Sequence, residues 1–278
     1  MKNAIVLGGA GFVGSNLCEA LVKKGINVLS IDNYSNGKKE HHVSGVEYVN
    51  ADVLDVPQMI NNKGWVECEN GFSIKPDIVF HLAEFCRAEQ SVDYPIRTIK
   101  NTYHTLPCVI ELCYKTGAKL MYAGSSTKFG DGQSPYATSK KMNTLMVKDM
   151  CNQLGINYAI TYFYNVYGKN EPATGLFAML IAKSIRAKKL GEKMIVTATG
   201  HQRRFFTHVD DIIDGLLLVA EHGHGDEYGI GSDDEYSVLE VMEMVGCDYE
   251  IGPPKAGNRM GSELKSEKTK ALGWYQKT

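Results

Sequence analysis

Two groups of residues have the types and spacing of a reactive site. The first is GGAGFVG at 8–14, where Gly8, Gly11 and Gly14 form a G-x-x-G-x-x-G pattern. It follows the apolar run Asn3–Leu7 and opens a stretch with Val13, Leu17 and Leu21 on one helical face. Such a motif gains meaning from a strand–turn–helix context. Gly8 permits the tight turn, Gly11 lets backbone approach a pyrophosphate, and Gly14 lets the helix pack on the strand. The helix N-terminus offers N–H groups and a positive dipole end to phosphate. Asp32 follows Gly14 by 18 residues and ends the second expected strand. A carboxylate there accepts hydrogen bonds from the ribose 2′- and 3′-hydroxyls and repels a 2′-phosphate, so NAD is favoured over NADP. Asp52 ends the third expected strand, placed to reach the adenine amino group. No Gly-Lys-Ser/Thr follows the glycines, which excludes a Walker loop.

The second group is YATSK at 136–140. Tyr136 and Lys140, at i and i+4, project from one helix face. A phenol in water has a pKa of about 10. A neighbouring ammonium and a nicotinamide cation would lower it, making a phenolate base available. Ser125 and Ser126 stand at the C-terminal end of the apolar run Lys119–Ala123. Open α/β sheets bind ligands at that edge, and a serine hydroxyl there can hydrogen-bond a reacting oxygen.

The elements that must position these residues are legible as an alternation. Asn3–Leu7, Asn27–Ile31, Val46–Val49, Asp77–His81, Lys119–Ala123 and Asn157–Tyr162 read as buried strands. Pro95–Thr116 and Pro135–Leu154 read as long helices between them. This predicts an α/β chain with a Rossmann-type doubly wound parallel sheet. After Gly168 the rhythm loosens into a helix at Ala173–Leu190, a short strand at Met194–Thr197, a helix at Asp210–Glu221, a strand at Tyr228–Gly231 and a Ser-capped helix at Ser237–Val245. A smaller C-terminal substrate-binding lobe is expected, with residues 1–166 plus 208–231 as the NAD-binding domain and 167–207 plus 232–278 as the lobe. The final LGWYQKT reads as a loosely held end.

Bulk properties narrow the partners. Thirty basic and 32 acidic residues leave a net charge of −2, so no nucleic acid or membrane surface is an expected partner. The seven cysteines form no C-x-x-C pair, and His222 and His224 lack a ligand pattern, so no metal is expected. The N-terminus does not read as a signal peptide, and no run approaches the roughly 20 apolar residues of a membrane span. The expected compartment is cytoplasmic.

Beyond these readings the chain resembles the extended short-chain dehydrogenases/reductases, in the nucleotide-sugar epimerase/dehydratase family. The resemblance lies in GGAGFVG, DNYSNGKKE, ADV at 51–53, HLA at 81–83, SVDYP at 91–95, NTYHT at 101–105, SSTKFGDG at 125–132, SPYATSK, YFYNVYG at 162–168, RRFFTHVDD at 203–211 and ALGW at 271–274. It implies a catalytic triad of Ser125, Tyr136 and Lys140. It also implies cofactor contacts from Phe12, Val13, Asn33, Val53, Leu82, Ala83 and Asn101, with Lys140 holding the nicotinamide ribose. Ser126, Asn165 and Arg204 would meet the substrate, a nucleoside-diphosphate sugar. Lys255 or Arg259 would meet a phosphate, with Arg259 taken as the candidate. The resemblance further implies a homodimer through a four-helix bundle built from the two long helices. Met142, Met146 and Met150 form a stripe on the second of these, read as core packing.

The chain departs from the resembling sequences at Glu84, Cys86 and His104, and its loop before the catalytic tyrosine is short. In the resembling 4,6-dehydratases an Asp-Glu pair follows the triad serine or threonine. Here Ser126 and Thr127 fill those places, and neither is a competent acid at neutral pH. The expected reaction is therefore C4 epimerisation through a keto sugar. The alternatives are dehydration, with Glu84 as a substitute acid, reduction or decarboxylation on the same scaffold, or a non-catalytic NAD-binding protein on the same fold. His81 reads as a packed, hydrogen-bonded histidine.

Overall fold

The computed structural model describes the chain apart from residues 130–133, 177, 198, 255–260, 262 and 264. Aliphatic runs bounded by turns pair side by side into one sheet. Its strands are β1 (Asn3–Leu7), β2 (Asn27–Asp32), β3 (Val46–Asn50), β4 (Ile78–His81), β5 (Lys119–Ala123), β6 (Tyr158–Phe163) and β7 (Gly225–Ile230). Their order in space is β3-β2-β1-β4-β5-β6-β7, and every pairing is parallel. A parallel sheet is covered on both faces, so its central strands carry unbroken apolar runs. Ala4, Ile5, Val6 and Leu7 are accordingly all buried.

Helices supply the two covers. On one face Leu106, Val109 and Leu112 of the Thr105–Thr116 helix join Val147 and Cys151 of the Pro135–Leu154 helix. On the other, Leu17 and Leu21 of the Phe12–Lys23 helix meet Ile212, Leu216 and Val219 of the Val209–His222 helix. The winding reverses at β1, between β2 and β4. The crevice at the C-terminal ends of those strands is where a doubly wound sheet receives its ligand.

A smaller lobe holds a third core of Ala187, Met194, Val196, Val238, Val241 and Met242. It comprises the helices Leu180–Leu190 and Val238–Val245, the parallel pair Met194–Thr197 with Tyr249–Gly252, and the antiparallel pair Arg203–Phe205 with Glu235–Ser237. Ser237 caps its helix in a reciprocal box with Glu240.

Four expectations need correction. The long helix expected over Pro95–Thr116 is two helices, Pro95–Tyr103 and Thr105–Thr116, meeting at His104. Pro107 has no N–H for the Tyr103 carbonyl and its ring crowds that carbonyl, so the first helix ends there. The helix expected from Ala173 begins only at Leu180, beyond Gly175, whose φ of +77° is left-handed. The tail is anchored rather than loose. Trp274 is buried, its Nε1 donates to the Asp211 carbonyl at 2.9 Å, and the Asp211 carboxylate accepts from the Lys277 and Thr278 amides, each at 3.0 Å. In the methionine stripe only Met146 packs against the core, while Met142 and Met150 are exposed. Among the described residues, no helix is long and apolar enough to cross a membrane.

Candidate active site

The glycine turn is built from tight backbone. Gly8 has φ +87°, and its carbonyl folds over the helix start so closely that a Cβ on Gly14 would lie 2.0 Å from it. A Cβ on Gly11 would meet only the Gly8 carbonyl oxygen, at 3.2 Å. That glycine is thus demanded less by packing than by whatever approaches it from the cavity. The Phe12–Lys23 helix begins with no side-chain cap and no acidic residue in its first turn, which suits a phosphate at its N-terminus.

Asp32 ends β2 at the rim of this turn, only 8 % exposed. Its Oδ2 accepts from the Ala10 amide at 3.0 Å and its Oδ1 from the Tyr34 amide at 2.8 Å. Burial pushes its carboxyl up, and these two donors offset part of that. Asn33 donates to Asp52 Oδ2 at 2.8 Å, while Asp52 Oδ1 accepts from the Leu54 amide and caps the turn that begins at Val53. Asn33, Asp52 and Val53 thus form one wall with Asp32. Replacing Asp32 with alanine should weaken NAD binding about 10- to 100-fold, the loss of charge-assisted hydrogen bonds. NADP binding should fall less or rise. Calorimetric titration of both dinucleotides tests this, and an unchanged preference would remove Asp32 from cofactor selection.

The reactive residues lie across the crevice. Ser134 caps the Pro135–Leu154 helix by accepting from the Ala137 amide at 3.1 Å, and Pro135 sits in its first turn. This start places Tyr136 one turn before Lys140. Ser125 follows β5, accepts from Thr127 Oγ1 at 2.9 Å and hydrogen-bonds with Tyr136. Lys140 Nζ donates to the Ala123 carbonyl at 2.5 Å. Ser125, Tyr136 and Lys140 therefore converge, with Ser126 adjacent.

Glu84 is the residue whose role the sequence reading missed. Its side chain, 3 % exposed, forms an ion pair with Lys140. Its Oε1 accepts from Asn143 Nδ2 at 2.9 Å and lies 3.2 Å from His81 Nε2, and its Oε2 accepts from the Tyr122 hydroxyl at 3.1 Å. Burial alone would raise this carboxyl, but Lys140 and His81 outweigh it and hold it down at about 2. Glu84 is therefore a carboxylate at neutral pH, and its role as a substitute acid is withdrawn. Lys140 acts on the Tyr136 phenol in the expected downward direction. In the protein alone, burial pushes its phenol up, and Lys140 and Ser125 offset only part of this. The signal available was an acidic residue directly after HLA, at the end of a fully buried strand.

One cavity of about 810 Å³ joins these parts. Gly8, Gly11, Phe12, Val13 and Gly14 line one end, with Leu82 and Ala83 beyond β4 and Asn101 on the Pro95–Tyr103 helix. Asn165 and Arg204 line the side toward the lobe. Asn165 has φ +21° and donates to the Phe205 carbonyl at 3.2 Å, and Arg204 Nη1 donates to the Arg203 carbonyl at 2.7 Å. Cys86 and His104 also face the cavity. Arg259 and Lys255 lie outside the described residues. Among the described residues, no cluster of three or more His, Cys, Asp or Glu could hold a metal.

The chain is similar to known proteins in sequence and in fold. Residues 4–231 match the NAD dependent epimerase/dehydratase family. The chain is 30 % identical over 261 residues to a UDP-N-acetyl-alpha-D-glucosaminuronate decarboxylase of Bacillus cytotoxicus, covering 87 % of this chain and 78 % of that one. It is 27 % identical over 299 residues to a putative UDP-glucose 4-epimerase of Methanocaldococcus jannaschii, covering 97 % and 92 %. A crystal structure of UDP-glucose 4-epimerase with UDP-glucose, from Thermotoga maritima, superposes with a TM-score of 0.89 at 26 % identity, covering 99 % and 94 %.

Proposed function

Because the chain belongs to the NAD-dependent epimerase/dehydratase family, we propose that it inverts C4 of a nucleoside-diphosphate sugar. The observation that carries this reading is the convergence of Ser125, Tyr136 and Lys140, with Ser126 and Thr127 rather than an acidic pair directly after Ser125. Tyr136, as phenolate, takes the proton of the sugar hydroxyl, and Ser125 hydrogen-bonds the same oxygen. Bound NAD would accept the C4 hydride and later return it to the opposite face of the keto sugar. Tyr136 gives its proton back to the oxygen as the alcohol re-forms. Lys140, beside the phenol, favours its ionised form. Gly11, Asp32 and Asp52 suit the dinucleotide, while Asn165 and Arg204 suit the diphosphate of the sugar nucleotide.

Dehydration would need an acid and a base beyond this set. Ser126 and Thr127 cannot supply them, and Glu84 is held ionised. A second reading, decarboxylation of a sugar acid, is favoured by the likeness to the Bacillus cytotoxicus enzyme. Incubating the holoenzyme with UDP-glucose, UDP-N-acetylglucosamine and UDP-glucuronate, and identifying the products by nuclear magnetic resonance, separates the two. A C4 epimer supports the first reading; carbon dioxide and a pentose product replace it with the second.

The same reading includes a homodimer. Ile96, Ile99, Met142 and Leu145 are exposed on the Pro95–Tyr103 and Pro135–Leu154 helices, which pack against each other. Large apolar side chains gathered on neighbouring helices suit burial against a second copy of this chain. Sedimentation should give a dimer that Leu145→Glu converts to monomer, and a monomeric wild-type protein would end this part of the reading.

A further inference from the structure

The carboxylate beneath Lys140 has no counterpart in the acid–base chemistry above, yet it is the most completely partnered side chain of the site. Groups from every neighbouring element converge on it. His81 comes from the end of β4, Tyr122 from β5, and Lys140 and Asn143 from the Pro135–Leu154 helix. Asn143 is itself oriented, since Nδ2 also donates to the Thr102 carbonyl at 2.7 Å from the Pro95–Tyr103 helix. An ammonium has three protons to donate. The Ala123 carbonyl and Glu84 accept two of them, the Tyr122 hydroxyl accepts the third at 3.5 Å, and the nitrogen stands 4.8 Å from the centre of the Tyr122 ring.

We infer that Glu84 is a positioning residue of this site, acting on Tyr136 through Lys140 by holding the ammonium in place and offsetting its charge. The inference rests on the reading of Tyr136 as the base. A lone ammonium one helical turn away would strongly favour the phenolate. Paired with a carboxylate it presents a dipole, whose field falls off faster and favours the phenolate less. Burial opposes the phenolate of Tyr136 most, Ser125 favours it, and Cys86 and, directly across the site, Glu84 itself oppose it. Neither Ser125 nor Cys86 lies between Glu84 and Lys140 in the chain of contacts. The consequence is a base that stays protonated to higher pH than Lys140 alone would allow, with the acid limb of turnover displaced toward alkaline pH.

Glu84→Gln keeps the size and an acceptor oxygen but removes the charge. Tyrosine labelled at Cζ, observed by nuclear magnetic resonance in the NAD-loaded protein, reports the titration directly, with Tyr136→Phe assigning the signal. The Tyr136 signal should titrate roughly one pH unit lower in Glu84→Gln than in the wild type, a tenfold change in the ionisation constant. The acid limb of kcat/KM should move with it. A merely structural Glu84 would lower thermal stability and leave the titration where it was, and that result overturns the inference. If Glu84→Gln does not fold, Glu84→Ala, which leaves room for water, should show the same downward shift, and its absence there is equally decisive. The titration needs no sugar. A shifted signal with no turnover of any sugar nucleotide would remove the proposed reaction and leave the role of Glu84 standing. Turnover with an unmoved signal would do the reverse.

Discussion

Tyr136→Phe is expected to lower turnover of the sugar nucleotide by at least about 100-fold, and by up to about 10,000-fold, the span general acid–base catalysis contributes. The substitution removes one oxygen and keeps the ring. The helix start set by Ser134 and Pro135 does not involve that oxygen, and neither does the Tyr136 amide bond to Ser91. The lost hydrogen bond with Ser125 should cost only about 1 kcal/mol of stability. The variant should therefore purify folded, with the same NAD content as the wild type. Stopped assays with product analysis, together with dinucleotide content after denaturation, check both halves. Near-normal turnover would remove Tyr136 as the base. If neither protein turns over any sugar nucleotide while both hold NAD, the non-catalytic reading takes over.

Lys140→Met should do more damage, because it strands the Glu84 carboxylate inside the protein. Breaking a buried ion pair from one side costs about 3–5 kcal/mol, mostly the desolvation of the charge left behind. For a chain of this size that lowers Tm by roughly 10 °C. Glu84→Gln added to Lys140→Met should recover most of the loss, since a neutral amide remains hydrogen-bonded to Asn143 without an unpaired charge. Activity should not recover, because Tyr136 still lacks its ammonium. Thermal melts of the two single variants and the double variant close the cycle. Additive effects would mean that the two side chains are not coupled. The same pair has a pH signature. The Glu84 carboxyl is depressed from 4.5 to about 2, so its contribution is fully present above pH 4.5. That contribution is lost as the pH falls from 4.5 through about 2. In Glu84→Gln this part of the acid destabilisation should be missing.

How much of this was legible depended on whether the determining contacts were local. The central strands were readable because a parallel sheet buried on both faces imposes unbroken apolar runs on them, whereas the edge strand β7 (GDEYGI) offers only its short apolar end. The glycine turn was readable because Gly14 answers to Gly8 and Gly9, within six residues, although Gly8 itself abuts Leu82 and Ala83; Tyr136 and Lys140 were readable because one helix carries both. Glu84 was not, because its partners come from residues 81, 122, 140 and 143, and no periodicity links them. Without that contact Lys140 looks like an unopposed cation, and the burial that pushes the Tyr136 phenol up is likewise set by the folded surroundings rather than by spacing. The stripe of Met142, Met146 and Met150 reads as core packing from its spacing, although helical spacing cannot say which side of a stripe faces water. Pro107 was in plain view, and its effect on Tyr103 follows from backbone chemistry alone.

The all-parallel sheet also constrains how the chain reaches its native state. Parallel neighbours cannot form as hairpins, so each pairing must wait for a full crossover segment to be laid down. Two of these waits are long: β4 joins β1 only after residues 8–77, and β7 joins β6 only after residues 164–224 have looped out and returned. As the polypeptide leaves the ribosome, β6 is a bare edge for that whole interval, with unsatisfied peptide groups on a mostly buried apolar strand. Slow maturation and a need for protection against association during synthesis follow from this wiring.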